Sequence, residues 1–318
     1  MSVKVAIVGC GTVGRASAEI LLQDAGEMTG RTGTKVELAA IVDRNPDAAA
    51  GLGVDSSRLF TDLEPVLADP DISIIVELVG GTGVARDIVK RSIEVGKHVV
   101  TANKALLAHY GRELFEVALS NSVSIAFEAS CGGGIPIVRA LYDGLAANRV
   151  DALYGIVNGT CNFILTRMVG DGLSYPDALA EAQAGGLAEA DPTLDVNGAD
   201  SSHKIAILAS LAFGSAINID QVPATGIEHV DTTDVQIGGE LGYGLKLLAY
   251  ATREDEGISL GVEPCFVPED HPLSWVAGAF NAVSVYGHRT GHTLHYGRGA
   301  GGSPTAGAVV ADILALAR

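Results

Sequence analysis

The sequence predicts an α/β fold in two domains, on three observations. A short apolar run, Val3–Val8, passes directly into Gly9-Cys10-Gly11-Thr12-Val13-Gly14 and then into helix-forming residues 16–22. Further β-branched runs alternate with helical stretches as far as about residue 130, where the pattern changes. At about 150 residues per domain, a chain of 318 residues holds roughly two. We therefore expect one domain over 1–130, completed by a C-terminal helix at 303–318, and a second over 131–302, with a cleft between the two lobes.

The first domain is read strand by strand. A glycine-rich turn between a strand and a helix lets backbone approach a pyrophosphate, and the helix N-terminus offers amides and the positive end of a dipole. Gly9, Gly11, Thr12, Val13 and Gly14 are thus expected to hold a dinucleotide. Residues 36–42 form the next strand and end in Asp43, where a carboxylate would accept from a ribose 2′-hydroxyl and favour NAD. Asp43 lies 29 residues beyond Gly14, a spacing that a looped-out polar stretch at 23–35 accommodates. Arg44 follows and suits a 2′-phosphate, so NAD and NADP both stay open. Asp43 also reads as the start of a turn, Asp43-Arg44-Asn45-Pro46.

Strands at 73–79, 98–101 and 123–129, separated by helices at 84–94 and 105–119, complete a Rossmann-type parallel sheet. Ligands bind beyond the carboxyl ends of such strands, which here carry Gly80-Gly81, Thr101-Ala102-Asn103-Lys104 and Glu128-Ala129-Ser130-Cys131. A lysine at a helix start opposes the dipole by about 0.3–1 kcal/mol, which favours a functional role for Lys104.

In the second domain, Gly132-Gly133-Gly134 opens a helix from 135 and a strand covers 150–158. Ser174-Tyr175-Pro176-Asp177 reads as a capping box for a helix to about 184. A loop at 185–200 holds Glu189, Asp191, Asp195 and Asp200, and a helix over 201–213 sets Lys204 four residues past Asp200, on one face. A carboxylate beside a lysine holds the amine in one rotamer and lets it exchange a proton with a bound hydroxyl, as alcohol oxidation requires. Taken alone, the same spacing also describes a surface ion pair worth about 0.3–0.5 kcal/mol. Strands at 246–252, 257–266, 282–287 and 292–297 make a mainly antiparallel sheet, and a last helix spans 305–316.

Composition bounds the partners. The net charge is −17, from 21 Lys plus Arg against 38 Asp plus Glu, which disfavours nucleic acid and an anionic membrane surface. No signal peptide fits the N-terminus, and the longest apolar stretch, 205–213, is about half of what a bilayer crossing needs. Four cysteines without a CxxC pair suit a reduced compartment, and we expect a cytoplasmic protein.

The string from Ala182 through Gly186, Leu187, Asp191-Pro192, Asp195-Val196, Gly198, Asp200 and Lys204 resembles the signature of homoserine dehydrogenase. Supporting resemblances are Gly9–Gly14, Thr101–Lys104, Glu128-Ala129 before the Gly132 cluster, Asn158-Gly159-Thr160-Cys161-Asn162-Phe163-Ile164-Leu165, and Gly299–Gly302, so the likeness covers nearly the whole chain. It implies reversible NAD(P)-dependent oxidation of L-homoserine to L-aspartate 4-semialdehyde, a step of threonine, methionine and isoleucine biosynthesis. By position it implies Lys204 as the main proton-transfer residue, Asp200 as its holder and a substrate contact, and Lys104 as a second lysine at the reacting hydroxyl. Glu189 would receive the homoserine ammonium, and Asp195 would support the site. Gly80 and Gly81 would pass beneath the cofactor and Gly302 close over it. A monovalent cation, Na⁺ or K⁺, would sit on Glu128 and the carbonyls of Cys131, Gly133 and Ile135. The second domain would carry catalysis and dimerisation in a homodimer. With one helix after Gly302, an appended effector domain is not expected.

Two rival readings stand beside this one. Cys131 or Cys161 as the nucleophile of an acylating semialdehyde dehydrogenase needs a lowered thiol pKa and a histidine base. A non-catalytic nucleotide sensor would keep the glycine turn but has no use for Asp200 with Lys204.

Overall fold

The computed structural model describes residues 2–45 and 47–318, so Pro46, in the turn expected after Asp43, lies outside the described residues. The chain divides into two compact units, Met1–Gly134 with Ala300–Arg318, and Ile135–Gly299.

In the first unit six strands lie parallel: β1 (Val3–Val8), β2 (Val36–Val42), β3 (Leu59–Phe60), β4 (Ile72–Glu77), β5 (His98–Thr101) and β6 (Ile125–Ala126). Their order, β3-β2-β1-β4-β5-β6, is that of a doubly wound dinucleotide fold, with the direction of winding reversing between β1 and β4. The helices are α1 (Thr12–Gln23), α2 (Ala25–Thr32), α3 (Glu64–Ala68), α4 (Val84–Glu94) and α5 (Lys104–Ser120). The central strands are covered on both faces, which is why β1 and β4 read as continuous apolar runs rather than alternating ones. Helix α4 shows the complementary pattern, burying Ala85, Ile88, Val89, Ser92 and Ile93 along one stripe.

Two local expectations are corrected. The stretch 23–35 is not an open loop, because α2 occupies most of it. This helix fully buries no residue and sets only Met28 against the core, on a face otherwise made of Ala25, Thr29 and Thr32, so its apolar pattern is faint. Glu27 in its first turn, Arg31 in its last and the left-handed Gly33 cap (φ 73°) suit its ends instead. The strand expected over 123–129 shortens to two residues. Beyond Phe127 the chain enters a single 3-10 turn, Glu128–Ser130, where the Glu128 amide donates to Asp312 Oδ2 at 2.7 Å.

The second unit holds an antiparallel sheet of β7 (Val150–Ile156), β8 (Tyr243–Glu254), β9 (Gly257–Pro268), β10 (Phe280–Gly287) and β11 (Gly291–Arg298), in the order β11-β10-β7-β8-β9. Its helices are α6 (Ile137–Arg139), α7 (Gly159–Asp171), α8 (Tyr175–Ala184), α9 (Thr193–Val196), α10 (Ala199–Phe213) and α11 (Thr232–Glu240). α7 and α10 pack on the sheet. The helix expected from residue 135 is cut to α6 because the next turn, Ala140–Gly144, is wound more widely. The chain then returns to the first unit as α12 (Gly302–Leu316). There Ala308, Val309, Val310 and Ile313 join the core made by Val5, Ile7, Ala18 and Leu21.

One core position opposes its surroundings. Lys246, 6% exposed in β8, donates from Nζ to the Val276 carbonyl at 2.6 Å, and burial lowers its pKa to about 8. Between that value and the ordinary 10.5 the unfolded chain binds more protons than the folded one, so this lysine makes stability rise with pH through that window. Lys246→Met is expected to add about 1–2 kcal/mol at pH 7, after the lost hydrogen bond is set against the recovered desolvation. Thermal melts at pH 7 and pH 10 check this. The variant should melt several degrees higher at pH 7 and lose most of the difference between the two conditions.

Candidate active site

In the first unit the three motif glycines have separate physical duties. Gly9 turns the chain with φ +97°, and a Cβ there would stand 2.7 Å from the Leu78 carbonyl carbon. A Cβ on Gly14 would lie 1.9 Å from the Gly9 carbonyl oxygen, so α1 approaches the turn only because this residue has no side chain. Gly11, which precedes the first turn of α1, faces open space, as do Gly80 and Gly81 beyond β4. Bare backbone around open space at the winding reversal fits the phosphates and ribose of a dinucleotide. Gly302 closes the same turn from the C-terminal helix, its Cβ position being 3.0 Å from Thr12 Cγ2. Thr12 and Val13 form the first helical turn.

Asp43, at the end of β2, accepts the Cys10 amide on Oδ2 at 2.7 Å and the Asn45 amide on Oδ1 at 2.9 Å. The same carboxylate starts the turn and fastens it to the glycine loop, while Arg44 stands exposed beside it. A third layer holds the floor of the site. The fully buried Glu77 takes the amides of Val79 and Gly80 on Oε1, at 2.8 and 3.1 Å, and the Thr101 hydroxyl on Oε2 at 2.7 Å. Asn103 donates to the Gly81 carbonyl at 2.6 Å and caps α5 through Leu106 N at 3.0 Å, so Lys104 starts a helix tied to the Gly80-Gly81 turn.

In the second unit, Gly198 in a left-handed conformation (φ 87°) starts α10. Asp200 and Lys204 then lie one turn apart on its buried side. Lys204 Nζ donates to Asp200 Oδ2 at 2.7 Å and to the Val157 carbonyl, at the end of β7, at 2.6 Å. The pair is therefore a buried, two-point clamp on an amine and not a solvated helix-face ion pair. Asn158 donates to Asp195 Oδ1 at 2.8 Å and to Asp200 Oδ2 at 3.0 Å, bringing the second carboxylate to the same cluster. Glu189 remains exposed on the turn before α9, where its carbonyl accepts from Gln183 Nε2 at 3.1 Å. Asp191 is spent locally, accepting the amide and hydroxyl of Thr193 at 3.1 and 2.5 Å.

Two family models cover this chain, one described as homoserine dehydrogenase over residues 136–314 and one as homoserine dehydrogenase, NAD binding domain, over residues 9–128. The homoserine dehydrogenase of Pseudomonas aeruginosa is 46% identical over 316 residues, covering 99% of this chain and 72% of its own length. The chain belongs to the homoserine dehydrogenase family. The crystal structure of a homoserine dehydrogenase from Thiobacillus denitrificans superposes with a TM-score of 0.96 at 45% identity, over 100% of this chain and 74% of that one. A hyperthermophilic archaeal homoserine dehydrogenase in complex with NADPH superposes at 0.81 with 28% identity, over 99% and 97%.

Membership of the homoserine dehydrogenase family makes the chain an oxidoreductase with an NAD(P)-binding domain. The rival thiol chemistry fails on the site itself. Cys161 is fully buried, donates to the Asp195 carbonyl at 3.2 Å, and is held far above the ordinary thiol range by burial and then by Asp195 and Asp200. It is not a thiolate nucleophile. Cys131 is likewise fully buried. Sequence reasoning missed Glu77 and named Asn103 and Asn158 only as members of motifs, because their roles rest on partners that only the fold brings together. A polar residue ending an apolar strand is the signal that marks Glu77 and Asn158. Among the described residues no three His, Cys, Asp or Glu side chains converge as a metal centre, and no helix is long and apolar enough to cross a membrane.

Proposed function

We propose that the chain oxidises L-homoserine reversibly to L-aspartate 4-semialdehyde, with Lys204 as the proton-transfer residue. The observation that carries this is the buried amine held at two points by Asp200 Oδ2 and the Val157 carbonyl. Oxidising an alcohol removes a proton from oxygen as a hydride leaves the carbon, so the base must already stand in place; a fixed Nζ meets that demand. In the reverse direction the same nitrogen, protonated, returns the proton to the carbonyl oxygen. The nicotinamide, when bound, accepts or gives the hydride.

On this reading Gly9, Gly11, Thr12, Val13, Gly14, Gly80, Gly81 and Gly302 hold the nucleotide, and Asp43 takes a ribose hydroxyl on lone pairs left by its two backbone contacts. Asp43 favours an unphosphorylated ribose and the exposed Arg44 accommodates a 2′-phosphate. Glu189 takes the substrate ammonium from its exposed turn, Asp200 and Asp195 line the pocket, and Lys104 is the second lysine at the hydroxyl. Na⁺ or K⁺ on Glu128 and the carbonyls of Cys131, Gly133 and Ile135 suits hard oxygen ligands, and the positive φ of Gly132 and Gly133 supports the tight path those carbonyls need.

The same proposal makes the enzyme a homodimer through its antiparallel sheet. Tyr154, Tyr286, His292, Leu294 and Tyr296 share one face by register, with Tyr286 stacked on His292 at 4.5 Å, and Leu294 and Tyr296 are exposed. An exposed aromatic surface of this kind supports an interface there. Four free cysteines fit a cytoplasmic setting.

Initial rates for homoserine against other small hydroxy acids, with NAD and with NADP, in Na⁺, K⁺ or a bulky organic cation, test this on enzyme sized by sedimentation. Homoserine should exceed the others by at least about 10²-fold in kcat/KM, because hydroxy acids without the ammonium leave Glu189 unpaired. Equal rates for a hydroxy acid lacking the amine would contradict the substrate assignment.

A further inference from the structure

We propose that Asn158 is a positioning residue that fixes the Asp200–Lys204 pair for proton transfer, an inference that rests on the reading of Lys204 above. Asn158 is 5% exposed, at the turn from β7 into α7, and its amide is committed at every point. Its Oδ1 accepts the Cys161 amide at 2.8 Å and caps α7, which turns the NH₂ end toward the acids. There Nδ2 donates to Asp195 Oδ1 at 2.8 Å and to Asp200 Oδ2 at 3.0 Å. That Asp200 oxygen is the one that receives Lys204 Nζ. The preceding residue, Val157, supplies the second anchor for the same Nζ. One turn of chain thus addresses the amine from both sides, through a carbonyl and through the carboxylate it steers.

An isolated Asp–Lys pair four residues apart on a helix can adopt several rotamers. The amide bridge removes that freedom by tying Asp200 on α10 to Asp195 on α9, and it does so without adding charge. The electrostatic surroundings make neutrality matter. Asp195, Asp200, Lys204 and Glu228 all act on Cys161 beside the cap, and Glu228 and Cys161 act on Tyr175. With Asp195 and Asp200 already at this amide, a third carboxylate at position 158 would hold the Lys204 ammonium charged and oppose its taking a proton from the substrate.

Asn158→Asp and Asn158→Ser separate the cap from the bridge, since both residues cap helices well but neither donates to two carboxylates. The readouts are kcat and KM for homoserine oxidation across pH, nucleotide Kd from reduced-nucleotide fluorescence, and Tm, with Lys204→Ala in the same series. Asn158→Asp is expected to lose about 10²-fold in kcat and to move the acid limb of the kcat/KM profile up by about one pH unit. Asn158→Ser should lose a similar factor in kcat and keep Tm within a few degrees, Asn158→Asp should also melt lower because its carboxylate stands where the amide met Asp195 and Asp200, and both should keep nucleotide Kd within about twofold. The inference is overturned if Asn158→Asp keeps the wild-type limb, whether its rate is intact or falls equally at every pH with a lowered Tm. It is also overturned if Asn158→Ser turns over normally. Near wild-type turnover by Lys204→Ala would instead remove the underlying assignment, so the two failures are distinct.

Discussion

Lys204→Ala is expected to lower kcat for homoserine oxidation by about 10³-fold or more while leaving nucleotide Kd within about a factor of two. The variant deletes the amine that Asp200 Oδ2 and the Val157 carbonyl hold, and it touches none of the glycines assigned to the nucleotide. Because Asp200 is buried, removing its cation also costs stability, of order 3 kcal/mol, so the rate must be read at a temperature where the fold is intact. Lys204→Arg is the sharper control. A guanidinium stays protonated, so it can fill the space and pair with Asp200 but cannot accept the proton. Steady-state rates with stopped-flow hydride transfer for both variants check the prediction.

The glycine turn yields the second large effect, as a contrast between neighbours. Gly14→Ala places a Cβ 1.9 Å from the Gly9 carbonyl oxygen, where the obstacle is backbone and cannot swing aside. α1 must then move off the turn, and a loss of more than about 3 kcal/mol with no measurable nucleotide binding is expected. Gly11→Ala meets no atom within 4 Å and has an ordinary φ of −72°, so the fold should be kept. Its methyl instead enters the space read as the pyrophosphate cradle, and nucleotide affinity should fall by at least about tenfold. Melting curves with nucleotide titrations separate the two. Equal melting points for Gly11→Ala and Gly14→Ala would contradict the packing account.

The sequence carries the fold where a local pattern exists. Five of the six parallel strands, the amphipathic stripe of α4 and the strand-turn-helix around Gly9–Gly14 are visible because the same short segment holds both the cause and the effect, whereas the two-residue edge strand β3 is too short to leave a pattern. The spacing of Asp200 and Lys204 is visible for the same reason, since one helical turn links them. What was hidden depends on partners far along the chain. Glu77 takes its meaning from Thr101, and Asn158 from residues 37 and 42 positions away. α2 was hidden differently, because its core-facing side carries a single large apolar residue, Met28, among alanine and threonines and so leaves little period to detect. The signature around Asp191 also shows the limit of reading acids by sequence alone: of four carboxylates on that stretch, Asp195 and Asp200 join one cluster, Asp191 caps its own turn and Glu189 stands exposed.

The most direct measurement is a crystal structure of the wild-type enzyme with homoserine and a non-reactive oxidised nucleotide. The account predicts Lys204 Nζ within about 2.6–3.2 Å of the substrate hydroxyl oxygen, still held by Asp200 Oδ2. A hydroxyl bound to another base, with Lys204 Nζ out of hydrogen-bond reach of the substrate, would contradict it.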